Sequence, residues 1–254
     1  MIHRPTRLSL ILPLMLALAA CTTVADPPAR NGVSKKTAID IKARNEQFQR
    51  GVTAANQGDF DTARQAWLPL ANAGYSDAQY NLGMMYRLGK GVEVDNRIAA
   101  QWYERSAQQG HTVAQFQLGV MYQEGQGVSR NDKTAVMWYR KCAEPGDPGC
   151  QFNLAWMTYR GIGTGKDYVS AANWFVRAAG QGVARAAGYL GVMYALGQGT
   201  PVDNTLSYMW WTIATELGEK KGIGILASME ETMPPVKLEF ARQLAREWLE
   251  KNTP

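Results

Sequence analysis

The 254-residue sequence contains only two histidines and three cysteines, which limits the chemistry it can carry. His3 lies in the amino-terminal segment, and His111 is the only histidine after it. No histidines and cysteines have the spacing of a metal site, and no serine after residue 20 is followed three positions later by lysine. We therefore expect a protein without catalytic residues, metal ligands or cofactors.

The sequence also lacks a strong net charge and a long apolar run. Its formal charge is +5, and without the first 20 residues 25 Lys and Arg oppose 22 Asp and Glu. This balance is too even to indicate a nucleic-acid partner. The apolar stretch over residues 8–20 is too short for a membrane span, which needs about 20 residues. With 46% apolar residues, the chain can still bury a large core.

The amino terminus has the pattern of an export signal. MIHRPTRLSLILPLMLALAACTT has a basic start, a short apolar run and small residues before Cys21. Residues 18–21 resemble the bacterial lipobox, which implies a lipoprotein signal peptide over residues 1–20 and lipidation of Cys21. Cleavage of an ordinary signal peptide nearby is the alternative.

A lipid on Cys21 would anchor the protein, because several acyl chains hold a protein stably to a membrane. Thr22 follows the cysteine, and by family resemblance this favours the periplasmic face of the outer membrane. The alternative is a soluble periplasmic or secreted protein. Residues 21–42 contain paired prolines and few large apolar side chains, so we predict a flexible tether there.

From Ala78 the sequence copies itself every 36 residues. The four phrases are AQYNLGMMYRLGKGVEVD from residue 78, AQFQLGVMYQEGQGVSRN from 114, CQFNLAWMTYRGIGTGKD from 150 and AAGYLGVMYALGQGTPVD from 186. A tryptophan lies 24 residues after each start: Trp102, Trp138, Trp174 and Trp210. Four copies in phase indicate an architecture built from stacked units.

Each copy has the pattern of two helices joined by a glycine-containing loop. Ala78, Leu82 and Tyr86 share one face of the first helix, and Gly110 is typical of the end of the second. Gly83 lies inside the first helix, where glycine costs up to about 1 kcal/mol, so we expect a neighbouring helix to approach it closely. A single pair cannot bury its apolar face, and stacking the pairs predicts an all-α solenoid.

The phrases LGxMYxxGxGVxxD and AxxWYxxxA resemble Sel1-like repeats, which are relatives of the tetratricopeptide repeat. The resemblance implies a right-handed alpha-alpha superhelical solenoid with repeats at residues 78–113, 114–149, 150–185 and 186–221. Residues 43–77 resemble one more, tetratricopeptide-like unit. Residues 222–254 break the period, and the apolar stripe after Pro235 predicts capping helices for the open end.

The third copy departs most from the pattern. Ala155 replaces the glycine, Thr158 replaces the tyrosine, and residues 162–166 lack the usual valine. Its loop RGIGTGKD is the nearest match to a phosphate-binding loop, but Arg160 and Asp167 stand where that motif needs glycine and a hydroxyl. We therefore expect no nucleotide site.

Cys142 and Cys150 enclose the turn AEPGDPG between two units. An oxidising compartment would permit a bridge, and closing a loop of this size contributes about 2.5 kcal/mol. The segment KCAEPGDPGC resembles the disulfides of cysteine-rich Sel1 proteins of bacterial envelopes, which implies that these two residues pair. Two buried free thiols are the alternative.

A second stripe on the first helices carries aromatic and basic residues. In tetratricopeptide geometry these positions face the concave side, where aromatic rings beside arginines can anchor a protein loop or peptide. The predicted partner-binding residues are Tyr80, Arg87, Phe116, Phe152, Trp156 and Arg160. The alternative is that the rings pack as core against neighbouring helices.

These features predict a non-catalytic scaffold for protein–protein interaction in the bacterial cell envelope. The resemblance implies, as partners, a cell-wall enzyme, an envelope assembly or a secreted toxin that the protein neutralises as an immunity protein. Two alternatives belong to other classes. One is an enzyme of cell-wall or beta-lactam metabolism, for which the sequence offers no catalytic residues, and the other is a structural spacer.

Overall fold

The computed structural model describes residues 35–252, with side chains from residue 40 onward, and the regular secondary structure in this range is all α-helix. The predicted signal peptide and lipidation site Cys21 lie outside the described residues. The chain divides into two units, Met1–Ala43 and Arg44–Pro254, and the second holds the repeats.

Twelve helices make up the described range. They are α1 (Lys35–Asn56), α2 (Phe60–Asn72), α3 (Ser76–Leu88), α4 (Asn96–Gln108), α5 (Thr112–Glu124), α6 (Asp132–Ala143), α7 (Pro148–Arg160), α8 (Tyr168–Ala179), α9 (Ala184–Leu196), α10 (Asn204–Glu216), α11 (Gly222–Thr232) and α12 (Pro235–Asn252). Helix α1 begins inside the segment predicted as a tether. Its first residues, KKTAIDIKAR, contain no proline or glycine to oppose a helix.

The pairs α3–α4, α5–α6, α7–α8 and α9–α10 form the four repeats, each helix packing against its neighbours in chain order. Second helices begin in the same way throughout. A side chain accepts a hydrogen bond from a backbone N–H in the first turn, which satisfies a donor that has no partner within the helix. These capping residues recur every 36 positions: Asp59, Asp95, Asn131, Asp167 and Asp203. Helix α2, which precedes the repeats, therefore shares their period.

The glycine loop between paired helices has two distinct roles. Gly125 ends α5 in the left-handed conformation, with φ of 73°, which reverses the chain. Gly127 lies against the preceding repeat, where any β-carbon would overlap the backbone of Asn96. The first glycine therefore makes the reversal predicted from the sequence, and the second allows consecutive repeats to stack.

The glycine inside the first helix of the first, second and fourth repeats accommodates an aromatic ring of its partner helix. A β-carbon on Gly83 would lie 2.7 Å from the ring of Tyr103, and one on Gly119 would lie 2.7 Å from the ring of Tyr139. Both tyrosines are almost completely buried. Burial raises the pKa of Tyr103 to about 12, because the charged form would lose its hydration.

Helix α12 covers the end of the last repeat. Its buried residues Leu238, Ala241, Ala245 and Trp248 form one stripe, and Trp248 meets Trp210 edge to face at 5.2 Å. Polar contacts fasten α11 and α12 to α10. Glu230 accepts hydrogen bonds from Tyr208 Oη at 2.5 Å and from Arg242 Nη2 at 2.6 Å.

Candidate functional site

The predicted binding residues lie on the first helices of consecutive repeats. We call Tyr80, Phe116, Phe152 and Trp156 the aromatic row; they belong to α3, α5, α7 and again α7. The first three hold the same position in their repeats, 36 residues apart. The four rings differ in burial: Tyr80, Phe116 and Trp156 are half-buried, and Phe152 is buried.

Tyr80 and Phe116 are half-buried at the junctions with the next repeat. The Tyr80 ring stacks on that of His111, with 4.8 Å between centroids. Burial raises the pKa of Tyr80, and the positive charge of Arg87 opposes the rise. Phe116 packs 6.1 Å from the Tyr139 ring, and a β-carbon on Gly149 would lie 3.1 Å from its ring. Each ring therefore packs on one side and remains accessible on another.

Phe152 is a core residue, with only 9% of its surface exposed. Its ring packs 5.9 Å from Phe175 and 6.0 Å from Tyr189. The Arg185 guanidinium, from the next repeat, lies 4.8 Å from the ring centroid. The exposed side chain at this position is therefore Arg185, which was not among the residues predicted from the sequence. Phe152 itself offers little exposed area to a partner.

Trp156 and Arg160 are one turn apart on α7. Trp156 is half-buried and Arg160 is exposed. The guanidinium lies 6.0 Å from the indole centroid, at the limit of a cation–π contact. Arg87 differs from Arg160, because its Nη1 donates a hydrogen bond to Gln117 of the next repeat. Among residues 35–252, Arg160 forms no salt bridge, so its charge remains available.

Buried glutamines connect consecutive repeats, a feature that the sequence analysis missed. In each of three first helices a glutamine donates Nε2 to a carbonyl near the end of the preceding second helix. The pairs are Gln79 to Ala71 at 2.9 Å, Gln115 to Ala107 at 3.0 Å and Gln151 to Ala143 at 3.2 Å. Their recurrence every 36 residues was the available signal.

A second glutamine completes this contact in the first and third repeats but not in the second. Gln109 donates to Gln79 Oε1 at 2.7 Å, and Gln181 donates to Gln151 Oε1 at 2.8 Å. The equivalent residue of the second repeat is Pro145, which has no donor. Gln115 Oε1 consequently stays buried without a hydrogen-bond partner.

The disulfide lies next to Pro145, at the junction that follows this incomplete contact. Cys142 at the end of α6 and Cys150 in α7 are bonded, with their Cα atoms 5.7 Å apart and no exposed surface. The bridge thus links the second and third repeats, beside the repeat whose glutamine contact is incomplete.

Three of the four repeat tryptophans carry a second set of cation contacts, on the second helices. Trp102 lies 4.7 Å from the Arg105 guanidinium, Trp138 lies 4.6 Å from Lys141 Nζ, and Trp174 lies 4.7 Å from the Arg177 guanidinium. The cation stands three residues after the tryptophan in each case, a spacing that places two side chains together on a helix. The Trp156–Arg160 pair differs in its spacing of four residues and in its longer distance of 6.0 Å between guanidinium and ring centroid.

Across residues 35–252, no three His, Cys, Asp or Glu side chains come together as a metal site would require. No helix in the same range has the length and apolar character needed to cross a membrane.

Paired helices stacked in order, with rings and cations displayed on successive first helices, define an α-solenoid of the repeat-scaffold class. The Sel1 repeat family matches residues 76–111, 112–147, 148–183 and 184–219, and the chain therefore belongs to this family. Each match begins two residues before the start assigned from the sequence, at the first residue of α3, α5, α7 or α9. Sel1 repeat proteins generally mediate protein–protein interactions as non-catalytic scaffolds.

The chain is similar to solved structures that include the following two. A Sel1 repeat protein from Oxalobacter formigenes is 31% identical, with a TM-score of 0.70, over 82% of this chain and 86% of its own. A protective antigen of uropathogenic Escherichia coli strains, displaying an SLR fold, is 30% identical with a TM-score of 0.72 over 85% of this chain. This chain spans about half of that antigen's length, 49%. No curated protein matches the sequence.

Proposed function

We propose that this protein is a non-catalytic scaffold of the bacterial cell envelope that binds a partner protein or peptide through the aromatic row and its neighbouring arginines. The observation that carries this proposal is the half-buried Trp156 beside the exposed Arg160. Tryptophan and arginine are the residue types most enriched at energetically important contacts in protein interfaces.

The neighbouring repeats extend the same surface. Tyr80 and Phe116 offer partly exposed rings, and Arg185 covers Phe152. Arg87 is held by Gln117, which fixes its position before a partner arrives and so lowers the entropy lost on binding. An extended segment with apolar side chains and carboxylates fits this alternation of rings and guanidinium groups.

Export and anchoring are part of the proposal. Lipidation of Cys21 would hold the solenoid at the periplasmic face of the outer membrane, and a soluble periplasmic or secreted form is the alternative. The partner would then be another envelope protein: a cell-wall enzyme, an assembly component, or a secreted toxin neutralised by this protein. The family's general role in protein interaction supports the class of partner and leaves its identity open.

Crosslinking in intact cells, followed by affinity capture, tests the proposed surface. Trp156→Ala with Arg160→Ala should reduce capture of the partner about 30-fold, the ratio that corresponds to a loss of 2 kcal/mol at one contact. The matched control is Trp102→Ala with Arg105→Ala, a similar pair on a second helix. An equal loss of capture in both double variants, or a large loss of thermal stability in the first alone, would contradict the proposal.

A further inference from the structure

A polar cleft opens in the third repeat, where α6 meets the loop between α7 and α8. Its volume is about 310 Å³. The side chains that matter to its chemistry are Arg140, Thr158, Thr164, Lys166, Ser170 and Trp174. None of them belongs to the aromatic row.

The cleft coincides with the departures of this repeat from its copies. Thr158 stands where the other repeats have Tyr86, Tyr122 and Tyr194, whose rings are partly buried against the core. A threonine fills far less space than a tyrosine, and it leaves a hydroxyl beside the indole of Trp174. Thr164 stands where the first two repeats have valine and the fourth has Thr200, and it adds a second hydroxyl. The same substitutions thus provide both space and hydrogen-bonding groups.

The charge in the cleft is positive and unpaired. Within residues 35–252, neither Arg140 nor Lys166 forms a salt bridge, and Lys166 Nζ lies 5.8 Å from the Tyr168 ring. The one carboxylate, Asp167, already accepts hydrogen bonds from the Ser170 N–H at 3.0 Å and from Ser170 Oγ at 2.6 Å. Two cations against one carboxylate leave the cleft with a formal charge of +1, and neither cation is paired with Asp167.

We propose that this cleft binds a small anionic saccharide. Its phosphate or carboxylate lies between Arg140 and Lys166, because both groups can donate charge-assisted hydrogen bonds. The sugar hydroxyls meet the threonine hydroxyls, and the apolar face of the ring packs on Trp174. The volume is at the lower end of small-molecule sites, which suits one sugar ring and its acidic group.

Isothermal titration of the purified full chain tests the ligand class with four probes: glucose 6-phosphate, glucuronate, glucose and inorganic phosphate. We expect at least one charged sugar to bind with a Kd of about 1 mM or below, and glucose and phosphate to bind at least about tenfold more weakly. The preferred acid distinguishes a phosphorylated from a carboxylated saccharide. Absence of binding of both charged sugars at about 10 mM would overturn the proposal. Phosphate binding as tightly as glucose 6-phosphate would exclude a saccharide, and glucose binding as tightly as the charged sugars would exclude the role of the cations.

Variants then locate the site. Thr158→Tyr, which restores the residue of the other repeats, should weaken binding at least about tenfold without lowering the melting temperature. Thr164→Val gives a second test if the tyrosine disturbs folding. Arg140→Gln should weaken binding of the charged sugars about fivefold, and the control Lys133→Gln, on the same helix, should not. Unchanged binding in both threonine variants would refute the assignment. Capture of the partner protein should persist in Thr158→Tyr, so the two proposals can fail separately.

Discussion

Replacing both Cys142 and Cys150 with alanine should destabilise the solenoid at one defined junction. The bond closes a loop with a sequence separation of 8, and constraining such a loop in the unfolded chain contributes about 2.5 kcal/mol. In a domain of this size, that loss should lower the melting temperature by about 5 to 10 °C. The effect should concentrate at the contact between α6 and α7, because each repeat contacts only its neighbours.

The incomplete glutamine contact nearby allows a second stability test of this region. Gln115 Oε1 is buried without a partner, whereas Gln79 and Gln151 each receive a donor from a second glutamine. Introducing Pro145→Gln into the double-alanine variant should supply the missing donor and recover about 1 kcal/mol. The gain should appear without any disulfide, since it comes from a hydrogen bond.

Urea unfolding of the purified full chain, followed by circular dichroism, measures both changes. Hydrogen exchange in α6 and α7 shows whether the loss is local. Alkylation of the denatured, unreduced protein, read by mass spectrometry, checks that the two cysteines are bonded, because buried free thiols would be labelled after denaturation. Labelling of both cysteines, or an unchanged unfolding midpoint in the double-alanine variant, would refute the role of the bridge. A Pro145→Gln variant with no gain would refute the account of Gln115.

Gly83→Ala should destabilise the protein by about 1 to 3 kcal/mol in urea unfolding, because its β-carbon would lie 2.7 Å from the Tyr103 ring. The control Gly224→Ala has nothing within 4 Å and should be neutral or stabilising by up to about 1 kcal/mol. Hydrogen bonds from Tyr208 and Arg242 lower the pKa of Glu230 below its ordinary value of 4.5. The ionised carboxylate therefore stabilises the folded protein above pH 4.5, and this stabilisation is lost as the pH falls through the lower pKa of the folded state. Exchange protection of α12 should therefore fall in acid, and Glu230→Gln should remove that dependence; equal pH profiles would contradict it. Cys21→Ser should release the protein from the membrane fraction of cells, and retention there would disprove the lipid anchor.

The repeat architecture could be predicted because its signals are local. Helical periodicity, glycine at chain reversals and tryptophan at a fixed interval all follow from short-range geometry, and copying them four times removes ambiguity. The Sel1 family and the all-helical solenoid were predicted in this way and are confirmed. The close approach at Gly83 was also expected, although the group that approaches is the Tyr103 ring.

The candidate site was only partly predictable. Phe116 and Phe152 occupy the same position and have the same side chain, yet Phe116 is half-buried and Phe152 is core. The difference comes from the neighbours, since Phe152 meets Phe175, Tyr189 and Arg185. No pattern within one repeat reports what the next repeat places against it.

The sequence by itself determined the repeat, its helices, the glycine loops that reverse the chain, and the family, because these depend on residues a few positions apart. Only the tertiary structure decided which rings remain accessible, which glutamine lacks a partner and where the third repeat opens a cleft. Those properties depend on side chains from adjacent repeats, roughly 30 to 40 residues apart in the chain, which packing brings into contact.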